Sequence, residues 1–341
     1  MKQPVETDPL RATETWFLQH GLSYFVPEER AAARAALRPR RAVPLLVLVV
    51  LVAAALGGLL GWFSDQVSAA PALWLTLAVL AGLVYARTAL RARPIATWAV
   101  SRTLGSLRTL LSTASRALPL LLVFVTFLFI NAEAWQMTSR LPFGRLWLVV
   151  LLLMGLGIVF LLVRLPNEVD AVDDAVDDSF LTRACAGTPL EEPCRELLED
   201  PDADPASYAQ VTGFDRWNLI LVLLIIQFVQ VLVLVVAVFV FFLLFGSLVM
   251  TEGVQLAWTG LKSTHHIPYL DSVSAELVKV SLFLAAFSGL YFTVSAVTDE
   301  TYREQFFSTV MREMERAVGV RAVYLALRNR ARRGGGSSGV A

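Results

Sequence analysis

The chain has 341 residues, 56% of them hydrophobic and only 17% charged, with 29 basic and 29 acidic residues and a mean hydropathy of +0.61. Soluble domains carry about 25% charged residues, so this composition excludes an ordinary water-soluble fold. The zero net charge conceals a sorting along the chain, because the basic residues gather in alternate connecting segments.

The first 42 residues form a charged arm without an apolar core, so no cleavable signal peptide is expected. Val26-Pro27-Glu28-Glu29 reads as a helix start, with Pro in the first turn and acids beside the positive end of the dipole. Arg30, Arg34, Arg38 and Arg41 follow along one face, an arrangement expected to meet anionic lipid headgroups. Ahead of them, Trp16, Phe17, Leu22, Tyr24 and Phe25 are too apolar for a free tail and are expected to dock on the cytoplasmic side of the bundle or to dip into the membrane interface.

Apolar runs then fall at about 43–63, 70–86, 117–135, 146–163, 219–250 and 278–297. They predict an all-α, polytopic membrane protein with six transmembrane helices and amphipathic cytoplasmic helices. The stretch Ile95 to Leu111 is interrupted by Arg102 and Arg108 and is not counted as a span. Segments 1–42, 87–116, 164–216 and 298–341 hold 25 Lys and Arg, against 3 in the alternate loops 64–70, 136–145 and 251–276. Positive charge marks the inner side, so both termini are expected in the cytoplasm and the protein in the cell membrane. Gly57 and Gly61 form a GxxxG pair, which marks a close helix contact. Thr126 and Asn131 are polar residues in the third run.

The 164–216 segment is acidic, with Asp170, Asp173, Asp174, Asp177 and Asp178 at the spacing of one helical face. Like charges at i and i+4 repel, so the face is expected to be solvated or to meet positive charge from the Arg-rich 87–116 loop, a neighbouring subunit or a divalent cation. The Ca²⁺-loop pattern with its central Gly is absent. Cys185 and Cys194 are expected as reduced thiols rather than metal ligands, since no His lies nearby.

Trp217 to Thr251 is a run of 35 residues without a charge. Its core, Leu219 to Met250, would extend roughly 48 Å as a helix, against about 30 Å of hydrocarbon. It is expected to be one long helix covered by other helices or subunits. Gln227 and Gln230 share a face within it and must meet protein or water. They are candidates for helix-helix contact or for lining a pore, together with Thr126 and Asn131.

The 251–276 loop is expected outside, with a short interfacial helix at Gly253 to Leu261 anchored by Trp258. His265 and His266 are candidate outer pH-sensing residues, and Glu276 and Lys279 are spaced to pair. After the last run, Phe307, Val310, Met314, Ala317, Arg321 and Tyr324 recur at three and four, predicting an amphipathic helix. Arg321 interrupts its apolar seam and Gly319 weakens it. Arg328, Arg330, Arg332 and Arg333 form a basic end suited to lipid headgroups rather than nucleic acid.

No zinc-protease, hydrolase-elbow or phosphate-loop motif is present, so no enzyme, cofactor or metal site is expected. Spans without midplane charge argue against ion-coupled transport. The reading that follows is a homo-oligomeric pore or channel-like protein with lipid as its main surroundings. The alternative is a non-conducting membrane scaffold or regulatory subunit acting through its charged cytoplasmic helices.

Overall fold

The computed structural model describes residues 8–64, 68–105, 122–173, 176–267, 270–298 and 300–336. Helix α1, Pro9–Gln19, starts where the Asp8 carboxylate accepts the Leu10 amide and Pro9 presets the first turn. A short 3-10 turn, Ser23–Phe25, leads into α2, Pro27–Ala36, with Glu28 and Glu29 in its first turn as expected. Next come α3, Pro39–Ser64, and α4, Ala69–Thr88, packed together. A Cβ on Gly57 would lie 2.8 Å from the Ala70 carbonyl oxygen. The GxxxG pair therefore serves a contact within the chain.

Helix α5, Arg93–Gly105, lays Ile95, Ala99 and Thr103 inward, in the stretch not counted as a span. Helical residues 122–129 (α6) lead to α7, Ala132–Ser139, and then to α8, Phe143–Asp173. Two short helices follow, α9, Asp178–Cys185, and α10, Glu191–Leu198. The 37-residue α11, Gly213–Val249, is one unbroken helix of roughly 55 Å. Beyond it lie α12, Glu252–Thr259, and an antiparallel hairpin of β1, His266–Ile267, and β2, Leu270–Ser274. The last two helices are α13, Ala275–Thr298, and α14, Glu300–Gly336.

Four of these helices are long and apolar enough to cross a membrane: Ala69–Thr88, Phe143–Val172, Gly213–Val249 and Ala275–Ser295. Helix α3 holds a shorter apolar stretch, Val47–Leu59. The expected third span, 117–135, falls partly outside the described residues. Six runs are expected to span, and four described helices meet that standard. Their apolar side chains, among them Leu80, Leu83, Leu152 and Val163, are exposed on the outside. An exposed apolar surface of this extent is compatible with an integral membrane protein.

Two apolar cores sit at opposite ends of α11. The first gathers Phe17, Ile95, Leu165, Leu181, Leu223 and Tyr324 into a polar-surfaced cap built from the arm, α5, α9, α10 and α14. The second, at the hairpin end, packs Phe129, Trp135, Phe242 and Leu277. There Phe129 stacks on Phe242 at 4.8 Å, and the Trp135 indole N–H donates to the Phe129 carbonyl at 2.8 Å. The buried Gln255 amide donates to the Met250 carbonyl at 2.8 Å, and the Ser274 hydroxyl accepts the Leu277 amide, starting α13.

The acidic stripe is divided rather than continuous. Asp170 lies in α8, which runs straight through the expected boundary at 163, whereas Asp177 caps α9 and Asp178 opens it. The Asp177 carboxylate accepts the Phe180 amide at 2.6 Å and the Ser179 hydroxyl at 2.9 Å. A side chain that caps a new helix cannot continue the old one.

Candidate functional site

Asp215 stands in the first turn of α11, with a side chain only 3% exposed. A lone carboxylate at such depth is strongly disfavoured. Two guanidinium groups resolve this, one from each end of the chain. Arg321 of α14 places Nε and Nη2 each 2.9 Å from Asp215 Oδ2, and Arg30 of α2 places Nη1 2.9 Å from Oδ1. Arg321 also donates through Nη1 to the Tyr208 and Gln210 carbonyls at 3.1 and 3.3 Å. Its planar fork lies over the Phe25 ring at 5.8 Å, a combination that suits arginine and not lysine. One carboxylate thus holds two cations whose helices lie 185 and 106 residues away in sequence.

Asn218, three residues on and fully buried, extends the clamp. Its Oδ1 accepts the Tyr24 amide at 2.8 Å and its Nδ2 donates to the Gly21 carbonyl at 2.9 Å. This satisfies backbone groups in the turn after α1, where Gly21 has a φ of +71° and stands close against Trp98. The Tyr24 hydroxyl donates to the Leu90 carbonyl at 2.8 Å. On α14, Tyr324 donates to Glu14 at 2.6 Å, Asn329 donates to the Tyr208 hydroxyl at 2.6 Å, and Arg330 pairs with Asp200 at 3.0 Å. Arg102 pairs with Glu313 at 2.7 Å, tying α5 to α14. The root of α11 is therefore the hub of the cap.

Burial raises the Tyr24 phenol above its ordinary value of 10.0, and burial followed by the hydrogen bond to Glu14 raises Tyr324. Groups whose pKa is raised on folding stabilise fully below the unfolded value, and that contribution is lost as pH rises. The cap should therefore loosen as pH climbs past about 10. Spectrophotometric titration should show part of the tyrosinate appearing only with loss of structure, and Tyr324→Phe should reduce that alkaline sensitivity. If every phenol ionised together with the helix signal intact, the burial of these two groups would be contradicted.

The Gln227 side chain is buried, and neither amide atom has a hydrogen-bond partner among the described residues. Gln230 is half-buried. Thr126 returns its hydroxyl to the Leu122 carbonyl of its own helix at 2.6 Å, and the exposed Asn131 caps α7 by accepting the Glu133 amide. Asp170 pairs with Arg216 at 2.8 Å, an arginine of its own 164–216 segment rather than of the 87–116 loop. The Asp173 side chain and Asp174 lie outside the described residues, as does the His266 side chain. Phe180 and Ser179 hold Asp177 below the usual carboxylate range by hydrogen bonding. His265 Nδ1 lies 2.9 Å from Glu276 Oε1, and the His265 amide donates to Oε2 at 3.2 Å. Glu276 therefore engages His265 rather than Lys279. Lys279 instead donates to the Ser139 carbonyl at 2.9 Å and lies over the Phe143 ring.

Cys185 and Cys194 are free and buried where α9 meets α10. The hydrogen bond to Cys194, with burial, raises the Cys185 thiol, while the same bond lowers Cys194. Among the described residues no group of three or more His, Cys, Asp or Glu could hold a metal ion.

The hub was the residue set that sequence reasoning missed. Arg321 looked like a fault in an apolar seam, and Arg30 part of a lipid-facing stripe. Arg34 likewise turns to protein, over the Phe214 ring at 5.2 Å. The available signal was the Asp-x-x-Asn spacing of 215 and 218 at the edge of an otherwise apolar run. No family model, curated protein or solved structure matches the chain.

Proposed function

We propose that the chain is an integral membrane protein of the cell membrane, with both termini in the cytoplasm, acting as a non-conducting scaffold or regulatory subunit through its helical cap. The observation that carries this reading is the buried Asp215, which joins both terminal segments to one apolar helix. A partner that engages α2 or α14 would act directly on the position of α11. The excess of Lys and Arg on the cap segments supports the orientation, and the exposed Arg332 and Arg333 suit anionic headgroups. The reading includes no catalysis.

A pore between copies of the chain is the second reading, favoured by Gln227, which has no partner among the described residues, and by half-buried Gln230 on the same helix. A path within one chain is opposed by the stacked Phe129 and Phe242. Liposomes containing purified protein separate the two. The expected result is cation and anion flux no greater than in protein-free liposomes. Gln227→Leu should raise stability by about 1–3 kcal/mol, because an unpaired buried amide is replaced by an apolar side chain. Selective flux that Gln227→Leu abolishes would replace the scaffold reading with the pore.

A further inference from the structure

Asp215 has a counterpart at the hairpin end of the molecule. Glu276 stands in the first turn of α13, beside Leu277 of the hairpin-end core, with a side chain only 2% exposed. A charge at that depth needs compensation, and the two carboxylates obtain it differently. Asp215 is paired with arginines, which keep their charge at every accessible pH. Glu276 is paired with His265, whose side chain is 76% exposed, and imidazole is the group whose charge changes near neutral pH.

His265 is fixed to the start of α13 at three points. Its carbonyl accepts the Ala275 amide at 2.7 Å, its amide donates to Glu276 Oε2 at 3.2 Å, and its ring nitrogen Nδ1 lies 2.9 Å from Glu276 Oε1. An ionised carboxylate only accepts, so Nδ1 carries the proton of the neutral ring. The second proton binds at Nε2, and a largely exposed ring takes it from solvent without any opening of the fold. That proton turns a hydrogen bond with one charged partner into an ion pair. The other charges nearby are engaged elsewhere or exposed. Lys279, one turn on from Glu276, donates to the Ser139 carbonyl and lies over the Phe143 ring, and Arg140 donates to the Thr259 carbonyl at 3.3 Å. Glu252 of α12 accepts the Thr264 hydroxyl at 2.9 Å, and Lys262 is exposed. The side chains of His266 and Asp271 lie outside the described residues. Among the described residues, His265 is thus the cation that faces Glu276.

We infer that His265 and Glu276 form a proton-operated clasp, in which protonation of His265 tightens the β1–β2 hairpin onto the start of α13 and loss of that proton loosens it. Val273 of β2 packs on the hairpin-end core, so a loosened hairpin uncovers apolar surface there. Hydrogen exchange of the full chain in lipid nanodiscs, expressed as protection factors to remove the intrinsic pH dependence of exchange, reads the clasp. The comparison is between about pH 8 and about pH 5.5, on either side of the ordinary imidazole value of about 6.5. On acidification, protection of residues 262–276 in wild type should rise roughly three- to fivefold, with residues 213–223 unchanged. His265→Asn keeps a donor close to the position of Nδ1 but does not titrate. It should therefore stay at the wild-type level of the higher pH throughout. Glu276→Gln should also lose the rise, and His266→Asn should keep it. Equal protection of wild type at the two pH values, or protection that falls with acid, would overturn the inference. So would a rise shared by residues 213–223, a rise that survives His265→Asn or Glu276→Gln, or one that His266→Asn abolishes. If His265→Asn does not fold, seen as lost protection over residues 224–249, the wild-type comparison and Glu276→Gln decide.

Discussion

Asp215→Asn should release the cap from the long helix. The substitution leaves Arg321, 8% exposed, facing a neutral amide, and breaking one partner of a buried pair costs about 3–5 kcal/mol. The loss should be local. The hairpin-end core shares no residue with the cluster, so the apolar helices should keep their helical signal. Limited proteolysis should cut the arm before Pro39 and the chain after Glu300 faster than in wild type. Arg321→Met should fail in the same way, because it strands Asp215 with only the half-buried Arg30. Replacing both, Asp215→Leu with Arg321→Met, should recover part of the loss, since apolar substitutes for a buried pair are often tolerated. A double variant as weak as the sum of the singles would show that the two residues do not act as a pair.

Gly319→Ala should destabilise, against the direction expected from helix propensity. In an exposed helix interior, Ala is favoured over Gly by about 1 kcal/mol. Here a Cβ would collide with the Ala184 Cβ and press Phe180 Cε1 at 3.3 Å. Both belong to α9, and Ala184 has no side-chain freedom with which to move aside. Overpacking of this kind costs about 1–3 kcal/mol, which leaves a net loss of up to about 2 kcal/mol after the propensity gain. The nearby thiols give a local readout. Cys185 and Cys194 are both buried, so maleimide should reach them slowly in native protein. Gly319→Ala should accelerate labelling by lifting α9 from α14. Unchanged or slower labelling, with raised stability, would contradict the close approach.

These two cases show which features the sequence carries. The unbroken α11 is legible because a run of 35 uncharged residues has no physical alternative to a helix or closed barrel away from water. Its surplus length is legible too, but what covers it is not. Leu219, Val222 and Leu223 meet Trp16, Leu22 and Met314, residues brought together from both ends of the chain. Periodicity reports which face of a helix is apolar and says nothing about which distant segment lies against it. Arg321 and Gly319 were misread for that reason. Each looked like a defect in one helix, and each is required by a neighbour. The acidic stripe failed for a local reason, since periodicity continues across a helix break when the first residue of the new helix is itself an aspartate. The docking of the aromatic arm was legible because Trp16, Phe17 and Phe25 have no stable exposed state, whereas the Asn218 contact that orders it was not.

A half-open apolar groove between α8, α11 and α13 lies between these extremes. Gly157 and Gly289 are visible as small residues, and small residues usually mark close contacts. Gly289 does, since a Cβ there would collide with Val235. Gly157 leaves space instead, a distinction that only geometry makes.

The central claim is that α11 extends past the apolar layer and is kept ordered by a cap clamped on Asp215. Hydrogen exchange of the full chain in lipid nanodiscs tests it most directly. Peptides covering residues 213–223 should exchange as slowly as those covering 224–249 in wild type, and far faster in Asp215→Asn, while 224–249 stays unchanged. Fast exchange of 213–223 in wild type, or the same protection in Asp215→Asn, would contradict the account.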